Sequence, residues 1–288
     1  MKPFDFIMPG SLSEAYTVWE ELGPAARLLA GGTDLTVALR HGHLATDVVI
    51  DLKGIAELKP DIEDDAGWLR VSAGTTMTTL CRYLSERALL PALQEAARVV
   101  GSIQIRNRAT LAGNVCNASP AADTVPVLAA LGAEVEICGP EGTRRTLITA
   151  FIEGNRQIDL QRGEIVTAVL IPKPQGRHGC AFDRITRRRG VDLATANLCC
   201  NIDDKGAVLF GLGAVSPRPL VLTDESGVMG DPKANHEDRA KAIQVMAAKA
   251  RPISDVRASA DYRSAMLCIM ADRACKTAHA RRAGGMDA

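Results

Sequence analysis

Two glycine-centred segments constrain this chain more than any other part of it. One is Leu28-Leu29-Ala30-Gly31-Gly32-Thr33-Asp34-Leu35. The other is Thr110-Leu111-Ala112-Gly113-Asn114, followed by Asn117-Ala118-Ser119-Pro120-Ala121-Ala122-Asp123. Each joins glycine to small or hydroxyl residues near an apolar run. Glycine lets backbone come close to a ligand, and consecutive amides can then point at one anion. Two such turns far apart in sequence suggest one diphosphate gripped from two sides.

The surrounding pattern supplies elements to carry them. Ser11-Leu12-Ser13-Glu14 is a capping box and Gly23-Pro24 a stop, so a short helix fits between. Ala26 to Ala30 reads as a strand feeding the first segment, and 47–52 as a β-branched strand. Residues 68–74 alternate apolar and polar, as a half-buried strand does. Helical spacing follows at 77–84 and 91–100, the latter with Pro91 in its first turn. Residues 101–108 read as a polar linker, 124–132 as a buried helix, and 133–137 and 145–148 as a hairpin about Gly139-Pro140-Glu141-Gly142.

A strand over 164–171 ends in Pro172-Lys173-Pro174, the main boundary. Beyond it, 180–187, 191–202 and 207–214 read as three antiparallel strands, then 236–250 and 259–280 as helices, with Gly284-Gly285 in a frayed tail. Strands and helices mix before the boundary and segregate after it, which predicts an α+β protein of at least two units. With 288 residues the chain can bury a real core.

Composition excludes several classes. Thirty-four basic residues balance thirty-four acidic ones, without the basic surplus of a nucleic-acid binder. No run approaches the ~18 apolar residues of a membrane span. The start, Met1-Lys2-Pro3-Phe4-Asp5-Phe6, lacks a signal-peptide apolar region, so the expected location is cytoplasmic. The eight cysteines contain no Cys-x-x-Cys pair, so zinc and iron–sulfur signatures are missing. Cys116 draws attention only because it lies just beyond the second glycine segment.

Rival nucleotide motifs fail. There is no P-loop. Gly211-Leu212-Gly213 imitates a dinucleotide fingerprint but lacks the third glycine, and Pro217-Arg218-Pro219 would break the helix that must follow. In the second segment, Asn114, Asn117, Ser119 and Asp123 are polar side chains in a mostly apolar stretch. They can cap a helix that Ser119-Pro120 starts, or hold phosphate and sugar; a helix N-terminus allows both. Phe182 to Asp192 sets Arg184, Arg187, Arg188 and Arg189 before an acid. These residues make either cross-strand ion pairs or a cation beside a flavin or phosphate, oriented by Asp192.

At these residues the chain resembles the FAD-binding medium subunit of molybdenum hydroxylases, the xanthine dehydrogenase and carbon monoxide dehydrogenase relatives. The motifs are Ala30 to Leu35, Gln104 to Asn107, Thr110 to Asn114, Ser119 to Asp123, Phe182-Asp183-Arg184 with Arg188 and Asp192, and Ile253 to Arg263. They cover nearly the whole chain in the family's order.

The resemblance implies a two-subdomain FAD-binding fold of the vanillyl-alcohol-oxidase type, over 1–55 and 56–174. A C-terminal domain over 175–288 would pair a three-stranded antiparallel sheet with helices. It implies that Leu28, Leu29, Ala30, Gly31, Gly32, Thr33, Asp34 and Leu35 wrap the FAD diphosphate, with Thr110, Leu111, Ala112, Gly113 and Asn114 on the other side and Gly101 close by. Ser119 would assist through its hydroxyl, Asp123 would bind the adenosine half, and Val166 would contact adenine through its backbone. Arg184 stands where many relatives carry lysine near the flavin, which keeps the charge but alters its geometry.

No cysteine-rich insert is present, so the resemblance points away from relatives that reduce benzoyl-type thioesters. The implied role is electron transfer. A large molybdopterin subunit would oxidise substrate, two [2Fe-2S] clusters in a small subunit would relay electrons, and FAD here would pass them to NAD⁺, a quinone or another acceptor. The implied assembly is a dimer of heterotrimers. The alternative is a self-contained FAD-dependent reductase or oxidase of the same fold, which needs a proton donor that the sequence does not offer. A scaffold without FAD is a third possibility, and the intact glycine turns argue against it.

Overall fold

The computed structural model describes residues 2–65 and 67–284, so Met1 and Gly285 of the expected termini lie outside the described residues. The chain begins with a parallel three-stranded sheet in the order β1-β3-β2: β1 (Asp5–Ile7), β2 (Ala26–Leu29) and β3 (Val48–Asp51). Two crossover helices make this parallel order possible. The first is α1 (Leu12–Leu22), where Ser11 Oγ accepts from the Glu14 N–H at 3.2 Å and the Glu14 carboxylate accepts from the Gly10 N–H at 2.8 Å. The second is α2 (Leu35–Arg40), which starts directly from the first glycine segment.

A five-stranded antiparallel sheet follows, ordered β4-β5-β10-β6-β7. Its strands are β4 (Ile62–Asp64), β5 (Trp68–Ser72), β6 (Glu134–Gly139), β7 (Gly142–Leu147) and β10 (Ile165–Pro172). Between β5 and β6 run α3 (Met77–Glu86), α4 (Pro91–Arg98), α5 (Ile103–Arg106), α6 (Leu111–Cys116) and α7 (Thr124–Ala130). After β7 come α8 (Ile148–Phe151) and a small hairpin, β8 (Ile152–Gly154) with β9 (Gln157–Ile158).

Two sequence expectations change here. The polar linker holds a short helix, α5, because Ser102 Oγ accepts from the Ile105 N–H. The second glycine segment is the start of a helix, because Thr110 Oγ1 accepts from the Gly113 N–H at 2.9 Å.

The C-terminal part is an antiparallel sheet, β11 (Gly179–Ile185), β12 (Ala196–Ile202) and β13 (Val208–Gly213), extended by a fourth short strand, β14 (Leu220–Thr223). The sequence reading named three strands; the fourth is only four residues long and follows Pro217-Arg218-Pro219. Strand β11 ends after Arg184 and β12 begins only at Ala196, so 186–195, with Arg187, Arg188 and Arg189, is a loop. Helices α9 (His236–Ala247) and α10 (Ala260–Arg282) cover one face of the sheet. Its other face packs on α4 and α7.

Every residue of α7 is buried. Its bed is glycine: a Cβ built on Gly211 would overlap the Pro126 carbonyl, and one on Gly213 would overlap the Asn197 side chain. The pair that imitated a dinucleotide fingerprint is a floor for a helix. Among the described residues, no helix is long and apolar enough to cross a membrane.

Candidate functional site

The two glycine segments meet. A Cβ on Gly31 would overlap the backbone carbonyl oxygen of Arg108 and lie 3.0 Å from the Ala109 Cα, so only glycine lets the chain pass there. Ala109 O accepts from the Met77 N–H at 2.8 Å and Leu111 N–H donates to Thr75 O at 3.4 Å, which fixes the second segment to the start of α3. Gly32 adopts φ +77°, a left-handed conformation that frees the turn into α2.

Both segments leave donors unused. Among the described residues, the N–H groups of Gly31, Gly32, Thr33, Asp34 and Leu35 donate to no protein acceptor. The same holds for the N–H groups of Thr110 and Ala112 at the head of α6. Free amides on two adjoining segments fit an anionic group, since amide donors at a helix start favour negative charge. Leu28 and Leu29 lie on β2 and Ala30 follows it; Leu28 packs into the main core while Asp34 faces solvent. Lys53, which the sequence reading missed, places Nζ 3.4 Å from Ala30 O and 2.5 Å from the buried Asp51 carboxylate. No spacing rule connects residue 53 to residue 30; the β2–β3 pairing does.

A second cluster sits at the start of α7. Asn114 Oδ1 accepts from Thr124 Oγ1 at 2.6 Å and ties α6 to α7. Asp123 precedes α7 but makes no capping bond. Its carboxylate is buried at 6% exposure: Oδ2 takes the Arg184 guanidinium at 2.8 Å, and Oδ1 takes Asn197 Nδ2 at 2.9 Å. Burial pushes the Asp123 pKa up, while the Arg184 charge and the two hydrogen bonds push it down; the net direction is upward. Arg184 also donates to Val99 O at 3.4 Å, two residues before Gly101, a φ +53° residue. Asp123, Arg184 and Asn197 therefore form one group.

Other expected residues lie further out. Val166 is buried on β10 at a register shift, and α6 packs against that strand. Ser119 borders a crevice of about 10 Å³ with Pro217 and Pro219 on the C-terminal side. Asp192 pairs with Arg187 at 3.5 Å, and Arg188 Nε donates to Val191 O at 3.0 Å, so Asp192 does not orient Arg184. Burial pushes the Cys116 thiol up to about 12, which leaves it a neutral packing group at pH 7. Asn197 went unnoticed in the sequence. Its signal was a polar residue repeated at 197 and 201 on one face of an otherwise apolar strand. A separate cavity of about 270 Å³ lies between α3, α4 and β11, away from both clusters.

Comparison with known proteins covers the whole molecule. Residues 2–174 match the FAD binding domain in molybdopterin dehydrogenase, and residues 181–278 match the CO dehydrogenase flavoprotein C-terminal domain. The carbon monoxide dehydrogenase medium chain of Afipia carboxidovorans is 30% identical over 282 residues, 96% of this chain and 97% of that protein. A putative xanthine dehydrogenase FAD-binding subunit of Escherichia coli is 29% identical over 91% of each chain. Among solved structures, a chain of a Cu,Mo-CO dehydrogenase superposes with TM-score 0.88 at 32% identity, covering 98% of this chain and 100% of that one. A chain of quinoline 2-oxidoreductase from Pseudomonas putida 86 gives TM-score 0.88 at 28% identity over 99% and 100%.

Proposed function

We propose that this chain, which belongs to the FAD-binding medium subunits of the molybdenum hydroxylases, holds FAD between its two glycine segments and serves as the electron-transfer subunit of an oxidoreductase complex. The observation that carries the proposal is the juxtaposition of Gly31 with Arg108-Ala109, with unpartnered amides on both segments.

The residues divide the work. Gly31 to Leu35 offer five backbone donors to the diphosphate, and Thr110 and Ala112 offer two more from the head of α6. Leu28, Leu29 and Ala30 support the first segment; Leu111, Gly113 and Asn114 shape the second. Lys53 adds a cation beside Ala30. Gly101, Ser119, Asp123, Val166 and Arg184 complete the nucleotide site, with Asp123 toward the adenosine half. Bound FAD supplies two-electron redox chemistry, so the protein's part is binding, orientation and tuning. In that role no side chain need act as catalytic acid or base.

The partners we assign are a small subunit with two [2Fe-2S] clusters and a large molybdopterin subunit, joined as a dimer of heterotrimers in the cytoplasm. NAD⁺ or another acceptor takes the electrons. We divide the chain into residues 1–55, 56–174 and 175–288, three parts that share one core.

Two measurements test this. Gly32→Val strains a φ +77° position, and Gly113→Val crowds Thr110 Oγ1, 2.9 Å from the added Cβ. Each is expected to abolish flavin absorbance while circular dichroism shows a folded protein; full flavin occupancy in both would refute the site. Affinity purification of the chain from its host should bring down molybdenum and iron with a larger and a smaller protein. A yellow, solitary protein turning over substrate at full rate would refute the subunit role.

A further inference from the structure

The Asp123 carboxylate is gripped from outside its own domain. Arg184 and Asn197 are direct cross-strand partners on β11 and β12, and each takes one carboxylate oxygen. Gly213 is the next partner in that row, on β13. The row Arg184, Asn197, Gly213 thus crosses three strands beneath the start of α7.

Asn197 is fully buried and only half satisfied. Its Nδ2 donates to Asp123 Oδ1 at 2.9 Å and to Ala122 O at 3.3 Å, whereas its Oδ1 is buried with no partner. Turning the amide over would set Oδ1 against two other oxygens, so the present orientation is the favourable one. A buried amide with an orphaned oxygen is worse than a leucine of similar volume unless its N–H groups are needed. Asn201, two positions along the same face, makes the contrast. It caps the far end of α7 through Nδ2 to Ala130 O at 3.0 Å, and its Oδ1 pairs with His178, so its side chain is satisfied at both ends.

We propose that Asn197 is a positioning residue for the nucleotide site, fixing the Asp123 carboxylate at the start of α7 and keeping it available as an acceptor. This rests on the reading of Asp123 as an adenosine contact. The charged group facing Asp123 is Arg184 of β11. On α4, Glu95 is turned to Arg281 and Arg98 is exposed. On β11, Asp183 is turned to Arg273. Helix α6 contributes only the neutral Cys116 thiol, β12 contributes the buried thiol of Cys199, and α7, α8, β13 and β14 carry no charged residue. Without the Asn197 bond, burial is opposed by Arg184 alone and Asp123 takes a proton at still higher pH.

The test uses the full chain loaded with FAD, with release followed by the fluorescence of free FAD as pH is lowered from neutral. Wild-type affinity is expected to fall as pH falls through the Asp123 titration. In Asn197→Leu the midpoint of that fall moves up by about one pH unit, the scale of one hydrogen bond to a carboxylate. Asn197→Ala carries the same expectation should leucine not fit beside Gly213. Asn201→Leu is the structural control: it lowers the melting temperature and leaves the midpoint in place. An Asn197 profile that superimposes on wild type, while Asp123→Asn weakens FAD binding, overturns the proposal alone. Wild-type affinity in Asp123→Asn at every pH removes the adenosine reading and the proposal with it.

Discussion

Arg263 heads the largest fully buried side chains, an unusual place for a guanidinium. It donates to Thr195 O at 2.6 Å, to Ala214 O at 2.9 Å and to Asp255 Oδ1 at 2.7 Å. Those bonds tie the loops before β12 and after β13 to the first turn of α10. Asp255 also takes Arg257 through Oδ2 at 2.8 Å. Burial opposes its ionisation, but the Arg257 N–H and the two guanidiniums outweigh that and hold its carboxyl well below the usual range. A depressed folded pKa stabilises the protein above the ordinary Asp value, and that stability is lost as pH falls toward the folded value. Asp255→Asn is therefore expected to cost about 3 kcal/mol at pH 7, because it leaves a buried cation unpaired. Its denaturant-derived stability should then fall less steeply than wild type below about pH 4. Parallel stability curves for the two proteins would contradict this. In the sequence, Ile253 to Arg263 stood out only through family resemblance. Arginine on a helix is normally a surface residue, and no local pattern announces that this one points inward.

At the scale of elements, α7 and its bed show what a sequence does and does not reveal. After Thr124 the helix is apolar all round, and its burial was legible from 124–132 alone. The glycine floor was not, because Gly211 and Gly213 meet α7 from more than eighty positions away. A glycine pair after a strand is locally the same signal whether it admits a phosphate or a helix. The helix start at Thr110 was hidden in the same way: Gly113 looked like a turn, and only the Thr110 Oγ1 bond shows a capped helix. Gly211→Ala should separate the two uses of glycine. Its Cβ would overlap the Pro126 carbonyl, a backbone atom that cannot swing aside. The expected cost is about 1–3 kcal/mol of overpacking, read as a lower midpoint in urea. Stability equal to wild type would mean that α7 does not rest on this strand.

At the scale of the whole molecule, the C-terminal sheet holds the elements around Asp123, which we assign to the nucleotide site. Helices α4 and α7 pack on it, Arg281 of α10 pairs with Glu95 of α4, and the same arginine donates to Cys180 O at 2.8 Å. The main core also crosses the boundary: Cys180, Cys199 and Phe182 belong to it along with α4 and α7. A fragment ending at Pro174 keeps both glycine segments and every strand of the first two sheets. It would nevertheless expose the fully buried α7, and burying one large apolar side chain is worth roughly 1.5–3 kcal/mol. It would also leave Asp123 without Arg184 and Asn197. Such a fragment is expected to aggregate at neutral pH and to retain little FAD, whereas the full chain stays dispersed and yellow. Gel filtration with absorbance at the flavin bands reads both properties at once. A monomeric fragment with full flavin content would show that the two glycine segments suffice by themselves. The expected failure would show that the cofactor site is completed by a sheet that contributes no glycine turn to it.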